Sequence, residues 1–225
     1  GIAEALGRGA AYVLILNNDT LVSPDFISEL LGSMDDRVGI AAPVIYYADD
    51  PERIWSMGAD QHSLTLEMVG ERRGQLDRGQ RHSAIERDYI VGCAMLISHY
   101  FLDAVGGFDE RFFMYYEDMD ICLRARQNGF RLLVVPQAKI WHKVAATSGG
   151  SDSPNERYWM ARSSVLFFAK HASVWRSLIV IPYRLGSMVK TLLRLCRLRH
   201  YAAIKAYVGG IVDGLTEVIR SEGGK

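Results

Sequence analysis

An α/β fold, with its sheet followed by C-terminal helices, is predicted by three features of the sequence. Tyr12-Val13-Leu14-Ile15-Leu16 is a continuous apolar run, the mark of a strand buried on both faces of a parallel sheet. Ser23-Pro24-Asp25 then offers a cap and a first-turn proline to a helix that turns Phe26, Ile27, Leu30 and Leu31 inward. With Val38–Tyr46 as the next strand, about 30 residues make a βαβ unit. From Arg157 onward the apolar positions recur with a helical period.

Taken in order, Ile2, Ala5 and Leu6 share one face of a helix that Gly7 and Gly9 end. The strand at Tyr12 runs into Asn17-Asn18-Asp19-Thr20, polar groups at the carboxyl edge of the sheet, where open α/β sheets bind ligands. From Ala48 to Arg87 the composition turns polar, with Arg72-Arg73-Gly74 and Asp77-Arg78-Gly79-Gln80-Arg81. This stretch reads as a surface excursion with short strands near Ile54–Met57 and Leu64–Val69. Tyr89–Ser98 returns to the core as a strand, and Gly106-Gly107-Phe108-Asp109-Glu110 is a tight turn. Arg131–Pro136 is another strand, closed by its proline, and Ala145–Asn155, rich in Ser and Gly, reads as a mobile loop. Pro182 interrupts the helical tail. Beyond it Leu185, Met188, Val189, Leu192 and Cys196 form one stripe opposite Lys190, Arg194 and Arg197. Such a basic amphipathic helix suits an anionic membrane surface, or packs on the body with its basic face in water.

A chain of 225 residues can hold one domain with a substantial core and an appendage. Apolar residues at 49% and charged residues at 23% exclude a disordered chain. The formal net charge of zero hides an asymmetry. Residues 1–154 carry 14 Lys and Arg against 22 Asp and Glu, whereas residues 155–225 carry 12 against 4. An acidic body suits a metal-using site and a basic tail an anionic surface; no nucleic-acid partner is expected. Cys93, Cys122 and Cys196 are odd in number and lack metal-ligand spacing, which predicts reduced thiols in a cytoplasmic setting. No uncharged apolar run reaches the roughly 18–20 residues of a membrane span, and no signal peptide opens the chain.

The chemistry concentrates in Phe112–Gly129. An aromatic and Met-rich lead-in ends in Glu117-Asp118-Met119-Asp120, and Asn128-Gly129 stops the helix that follows. Acids in the first turn suit the positive end of a helix. Beside bulky apolar groups, one of them can have its pKa raised and become a general base. The plainer reading has Glu117, Asp118 and Asp120 cap the helix, with Asp120 and Arg124 as an i,i+4 pair. Asp19, flanked by Asn17, Asn18 and Thr20, is an oxygen ligand for a hard divalent cation that would keep waters and substrate phosphates as its others, or else the start of an Asx turn. His142, after Trp141, is a second candidate ligand.

The order of these elements is more specific than any of them. Tyr-Val-Leu-Ile-Leu-Asn-Asn-Asp-Thr at 12–20, Gly-Gly-Phe-Asp-Glu at 106–110, Phe-Phe-Met-Tyr-Tyr-Glu-Asp-Met-Asp-Ile-Cys-Leu-Arg at 112–124 and Trp-His at 141–142 together resemble the inverting family 2 glycosyltransferases, in particular the bacterial rhamnosyltransferase-like members. The resemblance covers about residues 1–171. It implies a GT-A-type, Rossmann-like sheet that uses a nucleotide-diphospho-sugar. By it, Asp19 matches the final acid of the Asp-x-Asp metal motif for Mg²⁺ or Mn²⁺, and Asn17 stands where the first acid often lies. His142 matches a position that completes the metal site in some members, and Asp118 matches the catalytic base, with Glu117 beside it as the second catalytic candidate. Gly92, Cys93 and Ala94 match a short loop lining donor sugar and acceptor; Asn18, Tyr116 and Trp141 join Asn17 and that loop as substrate-binding candidates. The family's first strand and nucleotide-base loop have no counterpart before Tyr12. The expectation is therefore a GT-A sheet lacking its first βα units, the carboxyl-terminal part of a catalytic domain at 1–175, and a basic helical tail at 176–225.

The function so implied is metal-dependent, inverting transfer of a sugar such as rhamnose from a UDP- or dTDP-sugar to a cell-envelope glycan or lipid-linked acceptor. The tail would hold the protein peripherally on the cytoplasmic face of the bacterial plasma membrane. Two alternatives stay open at this level: an inactive glycan- or membrane-binding remnant, and a sugar-phosphate nucleotidyltransferase, which would carry a glycine-rich basic loop near its start.

Overall fold

The computed structural model describes residues 1–70, 72–79, 83–143 and 152–223. Gln80 and Arg81 of the polar excursion, and 145–151 of the expected mobile loop, lie outside the described residues. In chain order the elements are α1 (Ile2–Gly7), β1 (Tyr12–Leu16), β2 (Thr20–Val22), α2 (Phe26–Gly32), β3 (Val38–Tyr47), β4 (Ile54–Ser56), β5 (Asp60–Gln61), β6 (Met68–Val69), β7 (Ile85–Glu86), β8 (Ala94–Ser98), α3 (His99–Val105), α4 (Glu117–Gln127), β9 (Arg131–His142), α5 (Pro154–His171), α6 (Val174–Arg197) and α7 (Tyr201–Gly223). Packing groups them into a sheet unit (Gly1–Gln61, Met68–Phe108, Asp118–Val144) and a helical unit (His62–Glu67, Asp109–Glu117, Ala145–Lys225). Within the helical unit α5 packs chiefly on α7.

The principal sheet runs β1-β8-β3-β9-β2, with β4 beside β3 and β7 on β9. It is a mixed sheet. Among the described residues β3 and β9 pair in parallel and the other ladders are antiparallel. The strand-helix-strand passage β1-α2-β3 is present, but β8 lies between its two strands and runs against both. β1 is thus the outermost strand, and Tyr12 and Leu16 are each 39% exposed instead of buried. A continuous apolar run reports a strand but not its place in the sheet.

Two further expectations change for local reasons. Pro136 does not close its strand: opposite Pro43 and Val44 the β9 partners jump from Val135 to Lys139, so Pro136 sits in a bulge where its missing N–H costs no ladder bond. Pro182 does not interrupt the tail, since α6 passes through it. The carbonyl that a proline frees one turn earlier is that of Leu178, whose residue is 68% exposed, so water can satisfy it. The apolar run at Tyr89 yields a strand only from Ala94. It then turns into α3, where the Ser98 hydroxyl caps by accepting from the Phe101 N–H at 3.1 Å.

Alternation along the central strands builds a core on each face of the sheet. Ile40, Val44, Met95, Ile97 and Val134 meet Phe101 of α3 and Ile121, Cys122 and Ala125 of α4. Ala41, Ile45, Leu96, Leu133 and Ile140 meet Phe26 and Leu30 of α2. In the helical unit, α5 and α7 approach closely at glycines. A Cβ on Gly210 would lie 2.2 Å from the Tyr158 carbonyl oxygen, and one on Gly214 would lie 2.9 Å from that of Arg162. Gly210→Ala must therefore push backbone from backbone. It is expected to cost about 1–3 kcal/mol, read as a lower urea midpoint at unchanged m-value; an unchanged midpoint would refute this packing.

Candidate active site

Asp19 lies in the turn between β1 and β2. Thr20 Oγ1 donates to the Asn17 carbonyl at 2.7 Å, and the Asn17 N–H donates to the Cys93 carbonyl at 2.9 Å. Thr20 pairs with His142 in the β2–β9 ladder, so the residue before it is carried to the end of β9. There the Lys143 N–H donates to the Asp19 carbonyl at 3.0 Å, and His142 Nε2 stands 3.2 Å from Asp19 Oδ1. That approach lacks hydrogen-bond alignment: Asp19 Oδ1 and His142 Nδ1 are both buried with no hydrogen-bond partner among the described residues. The imidazole packs against the Trp55 ring, edge to face, at 4.6 Å.

A buried carboxylate oxygen and ring nitrogen that the protein leaves without hydrogen bonds need another partner. A divalent cation with oxygen and imidazole ligands is one that fits. Among the described residues no group of three or more His, Cys, Asp or Glu side chains forms a metal cluster. Two such ligands would leave the other positions to water and phosphate oxygens, as would suit Mg²⁺ or Mn²⁺.

Asp118 opens the second position of α4 and is only 8% exposed. Tyr89 Oη and the Gly92 N–H donate to its Oδ2 at 2.7 and 3.0 Å, and the Met119 N–H donates to Oδ1 at 2.8 Å. Burial raises its pKa above the ordinary carboxylate range, and these three hydrogen bonds pull it back only in part. A Cβ at Gly92 would meet the Asp118 Cβ at 3.4 Å, an ordinary van der Waals contact, so the two backbones approach closely here without requiring glycine. Ahead of α4, Tyr115 and Tyr116 both adopt left-handed backbone, with φ of 65° and 69°. That costs non-glycine residues roughly 1–2 kcal/mol each, a strain of the kind that collects at functional sites.

The loop Gly92-Cys93 joins the two groups of residues. Gly92 holds Asp118 through its N–H, and Cys93 anchors the Asn17 turn through its carbonyl. The Cys93 thiol is pushed up to about 12, first by burial and then by the charge of Asp19. Cys93 and Ala94 turn their side chains into the core, so this loop offers backbone and the open face of Gly92. Asn17 and Asn18 are exposed beside Asp19, and Glu117 is half-buried at the start of α4.

Three other acidic or aromatic candidates have contacts of their own. Trp141 faces the opposite side of β9 from His142, stacks on Tyr46 and donates to the Pro51 carbonyl at 3.3 Å. Tyr116, in the helical unit, packs on Phe167 and Phe168, and burial pushes its hydroxyl up to about 12. Asp120 forms the ion pair with Arg124 that its spacing suggested, at 2.8 Å. Sequence reasoning missed Tyr89 and Trp55. Tyr89 heads the apolar run Tyr89–Ser98, which hinted at burial but not at a carboxylate partner; Trp55 lies in the polar excursion and gave no signal.

Tyr89→Phe removes a donor that lowers the Asp118 pKa. The acid limb of the activity–pH profile should then move to higher pH, since a base must be ionised to act. A limb left in place would detach Tyr89 from the reaction.

The family profile described as "Glycosyl transferase family group 2" matches residues 12–208. An N-acetylglucosaminyl-diphospho-decaprenol L-rhamnosyltransferase of Mycobacterium tuberculosis is 32% identical over 180 residues, covering 74% of this chain and 58% of that protein. The dTDP-rhamnosyl transferase RfbF of Shigella flexneri is 23% identical over 178 residues, covering 76% of this chain and 58% of that protein. The chain thus spans less than two thirds of the length of either relative. Among solved structures, a mannosyltransferase of Pyrobaculum calidifontis in complex with GDP-Man and Mn²⁺ matches with a TM-score of 0.49 at 14% identity, over 94% of this chain and 65% of that one.

Proposed function

Because the chain belongs to glycosyl transferase family group 2, we propose that it carries the base and metal-binding residues of an inverting, GT-A-type transferase. The sugar, rhamnose foremost, would come from a UDP- or dTDP-sugar and pass to a cell-envelope glycan or lipid-linked acceptor. The observation that carries the reading is Asp118: a buried carboxylate with a raised pKa, held by Tyr89 and Gly92 one residue from the loop contact to the Asp19 turn. Rhamnose is favoured because the two named relatives above are rhamnosyltransferases.

In this mechanism Asp118 accepts the proton of the acceptor hydroxyl while that oxygen attacks the anomeric carbon. The bond to the nucleoside diphosphate breaks with its electron pair on the departing phosphate oxygen, and configuration inverts in one displacement. Asp19 and His142 would hold Mg²⁺ or Mn²⁺, which when bound offsets the charge of the leaving diphosphate. Tyr89 and Gly92 keep the carboxylate oriented; Asn17, Asn18 and Glu117 are proposed substrate contacts, and Trp141 and Tyr116 supports of the surrounding structure.

The tail reading is a peripheral contact with an anionic membrane surface on the cytoplasmic face. Among the described residues no helix is long and apolar enough to cross a membrane. On α6, Val174, Trp175, Leu178, Ile181, Leu185 and Val189 lie in one exposed apolar stripe, and Arg176, Lys190 and Arg197 lie across the helix from it. The test of the enzyme reading supplies labelled UDP- and dTDP-sugars with Mn²⁺ and a polyprenyl-diphosphate-linked sugar. Labelled product from one donor supports it, and none from any donor in a folded, nucleotide-binding protein contradicts it.

A further inference from the structure

A cavity of about 350 Å³ opens between α5, α6 and α7 within the helical unit. Its walls are Val165, Phe168, Ala169 and Ala172 of and just after α5, Val180, Leu185 and Met188 of α6, and Tyr207 and Ile211 of α7, with few polar groups among them. Three of those polar residues are already engaged. Ser164 donates to the Ala161 carbonyl at 2.8 Å, Ser177 to the Ser173 carbonyl at 3.0 Å, and Arg184 pairs with Glu67 at 3.0 Å while lying over the Phe168 ring. A cavity walled mainly by hydrocarbon holds water poorly and takes hydrocarbon instead. Its volume falls at the low end of small-molecule pockets.

The surroundings indicate which hydrocarbon. Ile181 and Leu185 line the cavity and are also 57% and 53% exposed, so its apolar wall continues into the outer stripe of α6. Residues 155–225 carry 12 basic and 4 acidic side chains, which favours an anionic headgroup nearby. We propose that this cavity receives one hydrocarbon chain of a long-chain anionic lipid drawn from the bilayer on which α6 lies. The proposal rests on the membrane-surface reading of the tail and adds a specific seat to it: a chain held inside the protein, not only a helix lying on the surface.

The test is direct binding of hexyl, octyl and decyl phosphate below their micellar concentrations to the whole protein, with inorganic phosphate as the comparison and no nucleotide sugar present. Affinity should rise roughly three- to fourfold for each added methylene until the cavity is filled, and inorganic phosphate should not compete. Ala169→Phe, at the exposed rim, and Ala172→Leu, within the wall, should weaken decyl phosphate at least tenfold at unchanged melting temperature. Met188→Ala, which enlarges the space, should move the length optimum to longer chains. Absence of chain-length dependence, or decyl phosphate binding indifferent to all three variants, would overturn the cavity assignment. Trp175→Glu separates the two readings. On a residue 81% exposed and outside the cavity, it should reduce flotation with anionic vesicles and leave decyl phosphate binding intact. Vesicle binding without alkyl-phosphate binding would sink the cavity alone; alkyl-phosphate binding without vesicle binding would sink the surface reading.

Discussion

Asp118→Asn is expected to lower sugar transfer by about 10²–10⁴-fold while leaving nucleotide and metal binding unchanged. The substitution keeps the size of the side chain and can still accept the Tyr89 hydroxyl and the Gly92 N–H at the same oxygen. What it removes is the capacity to take a proton. In the wild type that capacity is strengthened by burial, which raises the pKa of the carboxyl and so makes its ionised form the more basic one. The cost has a sign in stability as well. With the folded pKa above the unfolded value, the Asp118 contribution to stability falls as pH rises from the unfolded pKa through the folded one. The assay is labelled sugar transfer at saturating donor, with melting temperature recorded beside it. Transfer at the wild-type rate would remove Asp118 as the base.

Asp19→Ala and His142→Ala are expected to weaken Mn²⁺-dependent binding of nucleoside diphosphate at least tenfold, about 1.4 kcal/mol or more, without unfolding the sheet unit. His142 Nε2 stands 3.2 Å from Asp19 Oδ1, and that oxygen has no hydrogen-bond partner among the described residues, so removing either side chain would take away one of the two proposed ligands. The readout is the rise in melting temperature on adding UDP or dTDP with Mn²⁺, and its loss with a chelator. The wild type should show the rise with one nucleotide and both variants should not. Equal rises in all three proteins would mean that the pair is a buried structural contact.

The parts of this site that lay in the sequence are those fixed by a short run of residues. Asn17-Asn18-Asp19-Thr20 after an apolar strand, and acids at the first turn of an aromatic-led helix, state their own positions. The contacts that make them a site are set by distant pairing. Asp19 meets His142 only because Thr20 takes that register on β9, and Asp118 meets Tyr89 and Gly92 across 29 and 26 residues of sequence. No local pattern encodes such a register. The same limit explains the sheet. The apolar run at Tyr12 announced a strand, but β8, which separates β1 from β3, arrives some 80 residues later and runs antiparallel to both. Trp141 was legible only as a neighbour of His142: adjacent residues on a strand point to opposite faces, and its ring stacks on Tyr46.

Single displacement with Asp118 as base makes one stereochemical demand, and the anomeric configuration of the product tests it most directly. The protein would be given its nucleotide-sugar donor and acceptor, and the new linkage read by the anomeric coupling in the NMR spectrum. A product of inverted configuration that is absent with Asp118→Asn is the result expected. A retained configuration would require a protein nucleophile or a second displacement, and would contradict the assignment of Asp118 and of the reaction together.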